Sequence, residues 1–155
     1  MFGWLFNRRK KCKDGTPPTL LPTRKDISVF GSLDEKRAIK HFLGKDLRQA
    51  EALFRENFGV YAEDLMWMGP RAFCFYVDAA IAYLASPAST GDSEAACGFC
   101  GAVEFQVEHY RMEISSSLSR IEDAIQLILG DIDRYECGYV DLASRYRNLL
   151  AKIRA

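Results

Sequence analysis

The chain has 155 residues, of which 21 are basic and 21 acidic, so its formal net charge is zero. Hydrophobic residues make up 48% and charged residues 27%, a composition that excludes wholesale disorder and suits one globular domain with or without a tail. No apolar run reaches the roughly 18 residues that a transmembrane helix needs.

The zero net charge is divided unevenly along the chain. Residues 1–27 hold seven basic and two acidic residues, a net charge of +5, whereas residues 28–155 hold 14 basic and 19 acidic residues, a net charge of −5. Such asymmetry is typical of a tail that has its own binding partner. We therefore expect a disordered basic tail with a Pro-rich linker over residues 1–27, and a folded domain over residues 28–155.

The tail begins with an apolar stretch that basic residues follow. A secretory signal has the opposite order and a longer apolar stretch, so none is predicted. The tail is either a solubilising leader or a weak anchor on an anionic membrane surface, where aromatic rings favour the lipid interface and each basic residue adds about 1 kcal/mol. Nucleic-acid binding is not expected, because the basic patch does not continue into the acidic domain. The candidate membrane-contacting residues are Phe2, Trp4, Phe6, Arg8, Arg9, Lys10 and Lys11.

Two helices are predicted in the first part of the domain. Ser32 and Glu35 have the spacing of a capping box, which begins a helix that runs through Phe42. Asp46 is the expected N-cap of the second helix, and its apolar residues recur on one stripe until Gly59, its expected end.

A third helix is predicted between two breaks in the pattern. Pro70 suits the first position of a helix, because its missing N–H needs no partner there. Apolar residues then recur on both faces through Ala85, so this helix is expected to be central and mostly buried. A helical turn is expected within residues 60–69, before this helix, and a loop over residues 87–92 after it.

Apolar residues keep steps of three or four from Val103 to Ile153, which is helical spacing. Residues 103–108 also alternate as a strand would, but the alternation stops at His109 while the helical step continues. One unbroken helix would leave its stripe uncovered, so a folded-back bundle is expected, with breaks at residues 115–117 and at Cys137-Gly138. The expected helices are 93–113, 117–134 and 139–154. The predicted fold is all-α, a single compact bundle of five to six helices.

Cys97-Gly98-Phe99-Cys100 is a C-x-x-C motif near the start of a predicted helix. A helix N-terminus can lower a thiol pKa for redox chemistry, and two thiolates can begin a metal site. The thioredoxin-type motif needs a preceding strand, however, and no second paired spacing supplies further metal ligands. Core packing of both thiols is therefore favoured, with redox or metal chemistry at Cys97 and Cys100 as the alternative. Five cysteines without a signal peptide favour a reducing, cytoplasmic compartment.

The sequence offers little for catalysis. It has two histidines, no G-x-S-x-G motif and no glycine-rich phosphate loop. The closely spaced Asp131 and Asp133 project on different sides of a helix, as solvated carboxylates do. We therefore predict no enzymatic activity, no cofactor and no metal.

A stretch at a predicted corner between helices has the composition of a binding surface. Trp, Met and Arg are enriched in interfaces, and the candidate residues here are Asp64, Met66, Trp67, Met68 and Arg71. The alternative is that Trp67 and one methionine fill the end of the bundle, as most large apolar side chains do.

The same stretch carries a resemblance to small helical bacterial proteins of unknown function. The matching residues are Glu63-Asp64-Leu65-Met66-Trp67-Met68-Gly69-Pro70-Arg71-Ala72-Phe73, Tyr76, Tyr83-Leu84, Tyr139-Val140-Asp141-Leu142 and Arg145-Tyr146. The resemblance implies a bacterial helical protein and brings no activity or site. The expected function is a non-catalytic cytoplasmic interaction protein, an adaptor or an immunity-like inhibitor that binds another protein. The alternatives are peripheral membrane association through the tail, and thiol redox or metal chemistry.

Overall fold

The computed structural model describes residues 20–135 and 141–155, and these ranges form an all-α bundle without a strand. The predicted fold class is confirmed, with seven α-helices in the described ranges where five to six were expected. They are α1 (Arg24–Ile27), α2 (Leu33–Phe42), α3 (Leu47–Trp67), α4 (Pro70–Ala85), α5 (Ser93–Tyr110), α6 (Leu118–Gly130) and α7 (Leu142–Arg154). Short 3₁₀ helices lie at Pro87–Ser89, Ser115–Ser117 and Ile132–Tyr135.

The predicted helix starts are confirmed. The Ser32 hydroxyl accepts a hydrogen bond from the Glu35 amide, and the Glu35 carboxylate accepts one from the Ser32 amide, which is a complete capping box. Asp46 caps α3 in the same way, with Gln49 as its partner. Pro70 is the first residue of α4. These starts were predictable because each depends on residues within one turn of the cap.

The second predicted helix is interrupted two residues before its predicted end at Gly59. Asn57 has non-helical angles, φ −158° and ψ 88°, and kinks α3 there, after which a second helical stretch continues to Trp67. The Asn57 side chain accepts a hydrogen bond from the Val60 amide (3.2 Å), so it caps the second half of the helix. The missing side chain of Gly59 instead leaves room for Glu94, whose Oε2 would lie 3.0 Å from an added Cβ.

The centre of the bundle consists of α3, α4 and α5. Ten of the 16 residues of α4 are buried, which confirms its predicted central position. α3 and α5 run in the same direction and approach closely. The backbone at Gly98 is so near α3 that an added Cβ would lie 3.0 Å from the Cβ of Ala62. At the far end of this pair, Gln106 of α5 donates hydrogen bonds to the carbonyls of Met66 and Met68 (2.9 Å each).

The outer helices enclose this centre on two sides. α2 packs along the second half of α3, while α6 and α7 cover α4 and α5. The last three helices lie close to the predicted ranges, and the 3₁₀ helix at Ser115–Ser117 occupies a predicted break. The other predicted break, Cys137-Gly138, lies outside the described residues.

The segment before α2 belongs to the bundle rather than to the linker. Ile27 is fully buried, and its carbonyl accepts a hydrogen bond from the Gly69 amide (2.9 Å). A capping box of Thr23 and Asp26 begins α1. The predicted boundary near Ile27 is therefore too late, because a single buried isoleucine gives no periodic signal in the sequence. Residues 1–19, the rest of the predicted tail, lie outside the described residues.

Candidate interaction surface

The predicted partner-binding stretch forms the corner between α3 and α4. Met68 is fully buried, and Gln106 holds its carbonyl from the neighbouring helix. Arg71 is partly buried and pairs with Asp26 of α1 (3.3 Å). Met66 is also partly buried, whereas Trp67 is 40% exposed. The corner is mainly a structural joint, in which one methionine fills the end of the bundle and the tryptophan stays outside.

Asp64 is fully buried and joins α2 to α3. Its Oδ1 accepts a hydrogen bond from Arg37 Nε (3.1 Å), and its Oδ2 lies 2.6 Å from His41 Nδ1. The second arm of the Arg37 guanidinium reaches Glu63 (2.8 Å). The hydrogen bond to Asp64 is the main reason that the pKa of Arg37 is raised above its ordinary value. The prediction that Asp64 and Met68 contact a partner is therefore corrected, because neither side chain reaches the surface.

His41 and Arg37 are parts of this cluster that the sequence reasoning missed. They are four residues apart on α2 and so share a face, which was the available signal. The His41 ring is partly exposed and lies edge-on to Tyr61, with 5.2 Å between ring centroids. A buried carboxylate beside Nδ1 fixes the orientation of an imidazole, as acid–base sites require.

Metal binding is a separate question. Within the described ranges, no group of three His, Cys, Asp or Glu residues could hold a metal ion.

Trp67 belongs to an aromatic row that crosses from α3 to α5. Its ring packs against Phe105 with 4.9 Å between centroids, and Phe105 stacks on His109 at 4.2 Å and 22°. The surface around this row is apolar and acidic, since Val60 and Glu63 are exposed at helical spacing before Trp67. We call this surface the outer face. Its residues are Val60, Glu63, Trp67, Phe105, Glu108 and His109.

The two cysteines of the C-x-x-C motif lie on α5 in different surroundings, and no disulfide joins them. Cys100 is fully buried, and its Sγ lies 3.2 Å from Glu104 Oε1. Burial, together with this carboxylate, raises the pKa of the Cys100 thiol far above its ordinary value. Cys97 is partly exposed. A redox nucleophile needs a lowered thiol pKa, so the surroundings of Cys100 favour a packing role.

A mostly apolar groove of about 300 Å³ lies between α4 and α6. Ile81 and Leu127 are among its lining residues, together with an ion pair of Asp78 and Arg120 (2.8 Å). Burial raises the pKa of Asp78, and the hydrogen bond from Arg120 opposes that shift. The ion pair holds α4 against α6.

The seven candidate membrane-contacting residues, Phe2 to Lys11, lie outside the described residues. No helix in the described ranges combines the length and the apolarity needed to cross a bilayer. Comparisons with protein families, curated proteins and solved structures find no match to this chain. Its function must therefore be inferred from the geometry of its own surfaces.

Proposed function

We propose that this chain is a non-catalytic interaction protein of the bacterial cytoplasm, and that its outer face binds another protein. The observation that carries the proposal is the exposure of Trp67 within an aromatic row that spans two helices. Tryptophan is the residue most enriched among interface hot spots, and here its neighbours are a second aromatic ring and carboxylates. An adaptor or an immunity-like inhibitor would use such a surface.

The rigidity of the outer face supports this proposal. Trp67 and Phe105 stand on two helices that pack closely along their length, and Gln106 ties the end of one to the other. Side chains that are already held in position lose less conformational freedom when a partner binds. The aromatic row therefore loses little conformational entropy when a partner binds.

The charge of this surface indicates the chemistry of the partner. Glu108 and Glu63 flank the aromatic row; Glu63 pairs with Arg37, whereas Glu108 is exposed. Residues 41–155 hold 11 basic and 17 acidic residues, a net charge of −6. A partner that presents arginine or lysine side chains would meet complementary carboxylates. Its cations would also lie over aromatic rings, which attract them. The proposed partner is therefore a basic protein surface.

Quantitative affinity purification of the tagged full-length chain tests the proposal. We expect Trp67→Ala to lower the recovery of a specific partner by about thirtyfold, the effect of losing a hot spot. Leu127→Ala is the matched control, because Leu127 is 45% exposed but lies on α6, and it should recover the partner normally. Glu108→Lys should weaken binding most at low salt.

Equal recovery by the wild type, Trp67→Ala and Leu127→Ala would contradict the proposal. Circular dichroism and thermal unfolding of each variant separate a lost contact from a lost fold. Glu108 is exposed, so Glu108→Lys should leave the unfolding temperature nearly unchanged. Trp67→Ala removes the ring contact with Phe105 and should lower the unfolding temperature, but the variant should stay folded at the temperature of the purification.

A further inference from the structure

Residues Val29–Leu33, which we call the tip, lead the chain from α1 into α2 and expose their apolar side chains. Val29 is 53% exposed, Phe30 77% and Leu33 82%. Phe30 and Leu33 have the highest exposed fractions of any large hydrophobic residue in the described ranges. Single exposed apolar residues are common on proteins, but three within five positions mark a contact site.

The tip is held rigidly in this outward conformation. The Glu35 carboxylate is buried beneath it, where Oε1 accepts hydrogen bonds from the amides of Val29 (2.7 Å) and Phe30 (3.0 Å). Oε2 accepts one from the Ser32 amide (2.7 Å). Gly31 supplies the left-handed turn, with φ +73°. Because three backbone amides converge on one carboxylate, the backbone of the tip is held in the conformation that exposes these side chains.

The base of the tip is joined to the bundle. On the α1 side, Ile27 is buried, and its carbonyl accepts a hydrogen bond from the Gly69 amide. On the α2 side, Ala38 and Phe42 are fully buried. The tip therefore projects from a fixed platform, and binding at it would not require the chain to be reordered.

The helices that the tip connects carry a net positive charge. Arg24 and Lys25 of α1 and Lys36 of α2 are exposed. Of the nearby carboxylates, Asp26 pairs with Arg71, Glu35 accepts hydrogen bonds from the tip backbone, and the half-exposed Asp34 lies 3.8 Å from Arg37. Within the described part of this region, residues 20–40 hold five basic and three acidic residues, a net charge of +2.

We infer that the tip is a membrane-contact site that inserts Phe30 and Leu33 into the interface of an anionic bilayer. Arg24, Lys25 and Lys36 face the lipid headgroups in this arrangement. Apolar projections surrounded by basic charge are the features that bind such an interface. The tip is distinct from the acidic outer face and does not depend on its function.

Vesicle co-sedimentation of the full-length chain tests this inference. We expect the chain to pellet with vesicles that contain phosphatidylserine, to pellet less with phosphatidylcholine alone, and to be released by salt. Phe30→Ser with Leu33→Ser should lower the partition coefficient by more than tenfold, because the variant lacks the two apolar side chains that insert into the bilayer. Leu127→Ser, an equally polar change on α6, should pellet like the wild type.

Two further measurements make the test decisive. Phe30→Trp keeps an aromatic ring at the tip, and its added emission should be quenched by brominated lipids beyond the quenching seen in the wild type. Deletion of residues 1–13 should weaken binding but leave the effect of the tip substitutions in place. Circular dichroism checks that every variant is folded.

Three outcomes would overturn the inference. The first is a wild-type chain that does not pellet with anionic vesicles. The second is equal pelleting of the tip variant and the wild type, including the case in which residues 1–13 account for all binding. The third is a light-scattering result in which the tip variant abolishes a dimer while vesicle binding is unchanged, which would make the tip a protein contact.

Discussion

The α3–α4 corner and the tip are both short apolar connections between helices, but their side chains have opposite surroundings. At the corner, Met68 is fully buried. At the tip, Phe30 and Leu33 are more than three-quarters exposed. The two connections also touch, since the Gly69 amide donates a hydrogen bond to the carbonyl of Ile27. Hydrophobicity alone therefore does not decide which connection is buried.

The difference lies in which groups satisfy the backbone. At the corner, the carbonyls of Met66 and Met68 accept hydrogen bonds from Gln106, a side chain of α5, so a neighbouring helix is drawn over the methionines. At the tip, backbone amides such as those of Val29 and Ser32 donate hydrogen bonds to the Glu35 carboxylate, which is only a few residues away in sequence. A connection that satisfies its own backbone needs no covering element, and its side chains remain available to another molecule.

Truncation of one apolar side chain in each connection should separate them most clearly. We expect Met68→Ala to lower the free energy of unfolding by about 3 kcal/mol, because it removes buried methylene groups and leaves a cavity. Phe30→Ala should change it by less than about 0.5 kcal/mol, since the ring is 77% exposed. Urea denaturation followed by circular dichroism measures both values. Equal losses in the two variants would mean that Phe30 packs against the bundle.

Adding a methyl group at the contact between the two connections should have the next largest effect. A Cβ on Gly69 would lie 2.3 Å from the carbonyl oxygen of Asp26 and 2.7 Å from a methyl carbon of Val29. Gly69→Ala must push α1 and the tip away from the corner, so we expect a loss of about 2 kcal/mol. The unfolding temperature would fall accordingly.

Gly101→Ala is the matched control for that substitution. A Cβ on Gly101 would meet only the end of the flexible Met66 side chain, at 3.6 Å. Because alanine is also the better helix former, we expect this variant to be as stable as the wild type or more so. A Gly69→Ala variant with unchanged stability would show that the tip is not fixed to the corner.

The features that the sequence predicted correctly are local ones. The capping box of Ser32 and Glu35, the proline start of α4 and the helical spacing after Val103 each depend on neighbours within a turn or two. Glu35 was predictable as a capping residue for this reason. Its bonds to Val29 and Phe30 were not, because a pattern of residue types does not show how a loop folds back over a carboxylate.

The parts of the candidate surfaces that were missed depend on pairing between distant segments. The stretch around Trp67 was recognised by composition, but composition does not show that Gln106 lies over Met68. Asp64 looked like a surface charge because its partners, Arg37 and His41, precede it by more than 20 residues. A stripe defines one face of a helix, whereas exposure depends on which helix covers that face.

The smallest of the three main losses of stability concerns Glu35 and depends on pH. Burial raises the pKa of Glu35, but hydrogen bonds from the amides of Phe30, Ser32 and Val29 together outweigh it, so the pKa lies below its ordinary value. A carboxyl group with a lowered pKa in the folded state stabilises the fold above its unfolded pKa, and this stabilisation is lost as the pH falls through the folded pKa.

Glu35→Gln keeps the shape of the side chain but replaces one acceptor oxygen with an amide donor, which then faces a backbone N–H. We expect a loss of about 1.5 kcal/mol at pH 7 in urea denaturation. This difference from the wild type should shrink below about pH 4, where an ordinary glutamate becomes protonated. Asp34→Asn, a change in the same turn at a half-exposed position, controls for the loss of one negative charge. A difference that stays constant from pH 7 to acid would mean that the negative charge of Glu35 contributes nothing to holding the backbone of the tip in place.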